Sequence, residues 1–369
     1  MFLALKEMKK NKGRFVLIIS VIVLISYLVF FLVGLANGLA MANRTSIDLW
    51  DAKSVILAEG SNANILASDM EKDLLSEYSD EEASPVNVGR GTAYLNGNND
   101  KEHTVDVVLM GVEPGSRIDP ELVEGDEPQG DNEVKVSISM KKEEGVKLGD
   151  TLQMSQTKNE FKVVGFTVSS KYNVSPVVYT SLKMASNAMM MYKNEDKTDG
   201  VSSSTPNMPE RVSGLVMHTI EQPEVSDDYE TLPIKDFIWA IPGYEAQVLT
   251  FVLMIAFLIL ISSLILGIFL YIITIQKKDV FGIMKIQGIS NAHISRAVIL
   301  QSLFVGVIGI VIGYLLSIVT EWFLPATVPY QSNQLYYLVI GLLMLLTSLL
   351  GSFFSVKSVS QVDPLEVLD

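Results

Sequence analysis

The chain contains no cysteine. That removes a disulfide framework, a thiolate zinc site and a CxxCH haem attachment. Histidine is nearly as scarce, with three among 369 residues, and no H-E-x-x-H or G-x-S-x-G occurs. Serine and histidine are too scattered to argue a triad. No G-x-x-x-x-G-K-[ST] is present either, so there is no loop to cradle nucleotide phosphates. The chain is therefore expected not to be an enzyme by itself, with no catalytic residue, no metal site and no intrinsic cofactor.

Charge is also missing, but in blocks. Phe15 to Ala42, Ala246 to Gln276, Ala297 to Thr320 and Trp322 to Val356 hold no charged residue. The last run is broken early by Pro325, Pro329 and Asn333. A span needs about 20 apolar residues to cross about 30 Å of hydrocarbon. We expect an α-helical membrane protein with four transmembrane helices, at 16–40, 247–275, 297–320 and 335–356. The mean hydropathy of +0.32 and 49% hydrophobic content suit a chain only partly embedded. The first run is about twice the length of a signal-peptide core, so it reads as an anchor. It carries Gly34 and Gly38 as GxxxG, and the third span carries Gly309 and Gly313 in the same spacing. Such glycines mostly pack helices together.

Charge that is present fixes the orientation. Residues 1–15 carry Lys6, Lys9, Lys10, Lys12 and Arg14 against Glu7, and 276–296 carry Lys277, Lys278, Lys285 and Arg296 against Asp279. The positive-inside rule puts both in the cytoplasm. Four spans put the 357–369 tail there too, although it ends acidic, and make 321–334 a short outer loop. Residues 41–246 then form an extracytoplasmic domain with 36 Asp+Glu and 18 Lys+Arg. So acidic a domain excludes a nucleic-acid partner. A large outer domain without disulfides suits a bacterial cell membrane. Short β-branched runs at 103–110, 133–139, 161–168 and 176–180 predict strands, 48–65 strand and turn, and 67–78 helical spacing. The domain is expected to be α+β, inserted between helices 1 and 2, with 194–211 a polar loop.

The segment KKDVFGIMKIQGIS, 277–290, is unusual for a cytoplasmic connection. On a helix, Lys278, Gly282 and Lys285 make a narrow polar stripe, while Val280, Phe281, Ile283, Met284, Ile286 and Ile289 cover the rest. Burying four or five such side chains is worth roughly 1.5–3 kcal/mol each before entropy. The face suits either an interfacial anchor or a protein groove, and spacing alone does not choose between them.

Several motifs together resemble the MacB/FtsX-type permeases of ABC transporters: the 277–290 segment, VDPLEVL at 362–368, and EGVKLGDTL at 144–152 followed by FKVVGF and PVVYTS. FIWAIPGYEAQVLT, 237–250, is similar to the haem-efflux permeases of Gram-positive bacteria within that group. The resemblance implies a permease paired with a second copy of itself, in membrane lipid, driven by two copies of a separate ABC ATPase that binds the ATP. It turns Lys278, Val280, Phe281, Ile283, Met284 and Lys285 into ATPase-coupling candidates. It implies haem as the exported ligand, captured laterally from the membrane, with a homodimer seam along spans one and two.

Without cysteine, haem iron would look to His, Met or Tyr. His293 lies at the cytoplasmic end, and His103 and His218 read as solvated. Tyr244, at the outer lip of span two beside Glu245, and Tyr179 in PVVYTS are the candidates the resemblance favours, with Met41 at the outer end of span one. Their bland readings are an interfacial-belt tyrosine, a buried strand residue and a packing methionine. Two other functions stay open: an FtsX-like mechanotransmitter that activates an envelope partner, and a MacB-like exporter of peptides or amphiphiles.

Overall fold

The computed structural model describes residues 12–72, 78–98, 104–155, 159–186, 211–276 and 278–360. The 194–210 stretch, His103 and the 362–368 motif lie outside them. The chain packs as two units, one of Leu39–Gln247 and one of Met1–Gly38 with Val248–Asp369.

The first unit is built on strands. Thirteen are seen among the described residues: β1 Ser54–Ala58, β2 Met70–Glu71, β3 Ala83–Leu95, β4 Thr104–Gly111, β5 Leu122–Gly125, β6 Glu133–Ser137, β7 Thr151–Met154, β8 Glu160–Thr167, β9 Lys171–Tyr172, β10 Ser175–Thr180, β11 Arg211–Val212, β12 Gly214–Met217 and β13 Tyr229–Pro233. The order β3-β4-β10-β6-β8 closes on itself, because β7 pairs with both β8 and β3. Such a closed ring leaves no free edge between its members. Alternation along each strand sends one set of side chains inward. Val105, Val107 and Leu109, Val134 and Val136, Phe161 and Val163, and Val178 share that interior with Met140 and Leu152.

β3 is long enough to serve two layers. Its second half pairs with β4, while its start pairs with β12, which continues through β1 to β13. Ile56, Met70, Ala83, Leu215 and Met217 form a second core there. β2 and β11 make a separate two-stranded ribbon. Of the 67–78 stretch expected to be helical, Met70–Glu71 is instead strand, with Met70 2% exposed in that second core, so burial in an extended backbone overrides the helical spacing there, while 73–77 lie outside the described residues.

His218, 3% exposed, shares its Nε2 with Ser84 Oγ at 2.9 Å. Burial, then the positive Arg117, hold its imidazolium below the usual histidine range. The unfolded chain therefore binds more protons as pH drops below about 6.5. We expect this unit to be unaffected by His218 above that pH, and to lose stability as pH falls from about 6.5 to the lowered folded value. His218→Gln should flatten that acid limb in thermal melts taken from pH 8 to 5.

The second unit is helical. Here α1 is Lys12–Asp48, α2 Ile138–Glu143 and α3 Ile234–Trp239 (the last two on the strand-built unit, as is α1 from Leu39 on), α4 Tyr244–Ile275, α5 Lys278–Ile286, α6 Asn291–Glu321 and α7 Gln334–Ser360. Three helices are long and apolar enough to cross a membrane, Phe15–Asp48, Tyr244–Phe269 and Asn291–Glu321, with Gln334–Leu350 a shorter apolar stretch among the described residues. α4 leaves Leu253, Phe257, Leu260, Leu264 and Ile268 exposed, each at about half or more of its full surface. So continuous an apolar surface is built for lipid or for another protein, not for water.

Inside this unit the small residues set the approach of the helices. A Cβ on Gly313 would stand 2.6 Å from Ser26 Cβ and 2.8 Å from the Tyr27 nitrogen, and one on Gly309 would strike Ile22. Gly34 and Gly38 meet the connection between α6 and α7 and the start of α7: Gly34 faces the Tyr330 ring and the Tyr337 hydroxyl, and Gly38 the Pro329 backbone.

Candidate functional site

The connection between α4 and α6 folds as α5. It stops where Gly288 turns to a φ of 84°, which a side chain rarely adopts. Ser290 then caps α6 by accepting from the His293 nitrogen. Phe281, 5% exposed, packs on Ile294 and Val298 of α6, with Met284 and Ile289 alongside. Gly282 is buried on the same side, while Lys285 is partly buried. Val280, Ile283 and Ile286 stay exposed at 51%, 49% and 49%. The helix is thus held to α6 by one apolar face and offers a second apolar face to something else. Only the backbone of Lys278 is described, at the start of α5.

Three of the sequence's cargo candidates sit near each other along the chain's helix ends. Tyr244 begins α4, 6% exposed, its ring edge-on to Trp239 at 5.6 Å. Glu245 beside it is exposed, and Met41 on α1 is half-buried. Asn43 Nδ2 of α1 donates to Gln247 Oε1 of α4 at 3.3 Å, which joins these two helix ends. The turn between β9 and β10 also docks on α1. The Asn173 and Val174 nitrogens donate to the carbonyls of Asn43 and Ala42, both at 3.0 Å. Lys171 donates its backbone N–H to Thr45 Oγ1 at 2.8 Å.

Tyr179 is elsewhere, on β10 opposite Lys135 of β6, and 2% exposed. Burial raises its phenol above the usual tyrosine range, so its phenolate is costly to form. Among the described residues no cluster of three or more His, Cys, Asp or Glu is placed to hold a metal ion.

Sequence reasoning passed over a polar network in the helical unit. Ser317 Oγ and Tyr330 OH lie 2.7 Å apart, and Tyr330 OH and Tyr337 OH 2.8 Å apart. Thr320 Oγ1 donates to Tyr27 OH at 3.2 Å. Phe30, Tyr314 and Tyr337 form an aromatic trio with centroids 5.4–5.8 Å apart. They line a cavity of about 360 Å³ with Ile310 and Gly341. The seven-residue spacing of Tyr330 and Tyr337 was the available signal. It is split between the expected 321–334 loop, with Tyr330, and the expected 335–356 span, with Tyr337.

Residues 252–364 match the FtsX-like permease C-terminal family model. The chain thus carries an FtsX-like permease domain, the membrane component of ABC transporters, and its apolar helices place it in a membrane. Over its whole length it is homologous to HrtB, named as a hemin transport system permease protein, of Staphylococcus epidermidis. The two are 25% identical over 374 residues, covering 100% of this chain and 99% of that one. An ABC transporter permease of Mycobacterium tuberculosis is 23% identical over 372 residues, 99% of this chain and 98% of that one. The periplasmic region of MacB from Actinobacillus actinomycetemcomitans is a distant structural likeness. Its TM-score is 0.30 at 14% identity, over 50% of this chain and 90% of that one.

Proposed function

We propose that the chain is the permease of an efflux pump that takes haem from the membrane and releases it outward, driven by a separate ATPase. In this reading the four apolar stretches all span the membrane, both termini face the cytoplasm, and residues 41–246 form the outer domain between spans one and two. Two copies pair, each with one ATPase subunit. The observation that carries the coupling is the second apolar face of α5, with Val280, Ile283 and Ile286 exposed on a helix already seated through Phe281. The full-length similarity to a permease named for hemin transport supports the cargo.

An absence of charge from the apolar stretches fits a greasy, flat cargo better than an ion, which needs ionisable groups along its path. Met41, Tyr244 and Glu245, near the joined ends of α1 and α4, are the cargo contacts in this reading. Tyr179 has a less suitable setting, because its phenol is held protonated by burial.

Cells lacking this chain should be killed by haemin at concentrations their parent tolerates, roughly tenfold lower. The purified protein in nanodiscs should give a Soret band with haemin that weakens in Tyr244→Ala. Unchanged tolerance together with no Soret band would overturn export of haem and favour the mechanotransmitter reading. A normal band in Tyr244→Ala would remove only that ligand.

A further inference from the structure

The cavity of about 360 Å³ between α6 and α7 is a trough with two unlike ends. Gln334 and the rings of Tyr314 and Tyr337 line the end where α7 begins. Beyond them the wall is apolar, through Ile310 and Gly341 to Val307 and Leu345. From Gln334 to Leu345 α7 rises about 16 Å, the reach of one long acyl chain. Val311, Leu338 and Leu342 form exposed lips, so the trough opens sideways. A Cβ on Gly341 would make only ordinary contacts, at 3.6 Å to Ile310 and to Phe30. This glycine is therefore not needed for the helices to approach, and its effect is to keep the trough open.

Its polar groups differ in how they are used. The Tyr337 hydroxyl is spent on Tyr330 at 2.8 Å, in the chain that ends on Ser317. The Tyr314 hydroxyl and the Gln334 amide make no hydrogen bond among the described residues. Tyr314 is half-buried and Gln334 exposed, so both stay open to a ligand. A donor left without a partner is costly in hydrocarbon, where no water can serve it. The trough thus offers unspent donors at its head and bare hydrocarbon along its length. The molecule that answers both is a single apolar chain headed by an oxygen acceptor. The ester of a membrane lipid is such a head, and the exposed apolar lips face the medium that supplies it.

We propose that this trough holds one acyl chain of an ester-linked membrane lipid, whose carbonyl accepts from the Tyr314 hydroxyl. The assignment rests on one part of the reading above, that α6 and α7 lie in the bilayer, and not on haem export. The test is photolabelling of the full-length protein in nanodiscs of dialkyl ether phosphatidylglycerol. Two phosphatidylglycerol probes carry a diazirine in one chain, the first with ester and the second with ether linkages, and adducts are mapped by peptide mass spectrometry. The ester probe should label Val307, Val311 and Leu342 about fivefold more than Leu316 and Leu346, exposed residues of the same helices outside the trough. The ether probe, which has no carbonyl, should label both groups evenly. Tyr314→Phe keeps the ring that packs on Phe30 and Tyr337 and should reduce the ester probe to the ether pattern. Gly341→Leu, which fills the trough, should do the same. Equal trough labelling by the two probes, or an ester pattern unchanged in Tyr314→Phe, would overturn the assignment. Trough labelling below that of Leu316 would overturn it in favour of a protein helix as the occupant, and displacement of the ester probe by haemin in favour of the cargo. No adducts anywhere on α6 and α7 would instead remove them from the bilayer, and haemin tolerance is read separately.

Discussion

Asp at both Val280 and Ile283 should abolish co-purification of the ATPase and reduce ATP turnover and haemin tolerance together. These side chains are about half exposed, so the change costs α5 little in its own packing. Phe281, which seats α5 on Ile294 and Val298, is left in place. If the exposed face is the docking surface, each site becomes a buried carboxylate in an apolar contact. Interface anchors of this kind cost about 2 kcal/mol or more, and about 1.4 kcal/mol is tenfold in affinity. Two together should weaken docking by about a thousandfold. Val123→Asp on β5, at a site 57% exposed, is the matched control and should alter none of the three readouts. A double variant that still binds its ATPase and hydrolyses ATP at the parent rate would end the pump interpretation. Phe281→Asp is the less informative change, since it unseats α5 as well.

Gly38→Val should leave little folded protein in the membrane. A Cβ at this position meets the Pro329 backbone and comes within 2.8 Å of the Gln331 nitrogen. Backbone cannot rotate away as a side-chain tip can. The same stretch is tied to α1 on both sides: the Gln331 nitrogen donates to the Gly34 carbonyl at 3.1 Å, and Asn37 Nδ2 donates to the Gln331 carbonyl at 3.0 Å. Overpacking costs typically 1–3 kcal/mol, and each of the two hydrogen bonds displaced about 1 kcal/mol more. A total of about 3–5 kcal/mol lowers the melting midpoint by roughly 10 °C in a chain of this size. Gly13→Val, where a Cβ would meet nothing within 4 Å, should melt like the parent. Equal midpoints for the two variants would show that this contact is not made.

The sequence made the apolar helices and the strand-rich unit legible, because charge-free runs and β-branched alternation are strong, local signals. The strands at 104–111, 133–137, 160–167 and 175–180 fall where the pattern predicts them. β3 escaped because its Gly89, Gly91 and Pro85 obscure the alternation. Its role depends on two sets of partners far away in sequence. Ring closure through β7 is likewise invisible until β8 and β3 are both known. Of the candidate site, the apolarity of α5 was readable, but which face would seat on α6 was not, since Ile294 and Val298 sit beyond the turn.

The Ser317–Tyr330–Tyr337 hydroxyl chain and the Pro329–Gln331 clasp on α1 have a mechanical consequence. Sliding α1 lengthwise past the 329–331 clasp by even one residue would strip the Gln331–Gly34 and Asn37–Gln331 bonds and drive Gly34 and Gly38 off their seats. A piston stroke of the first helix is thereby barred. It must swing with the ends of α6 and α7 as one strut, so if α5 receives a stroke from an ATPase, that stroke would pass along α1 only as a tilt.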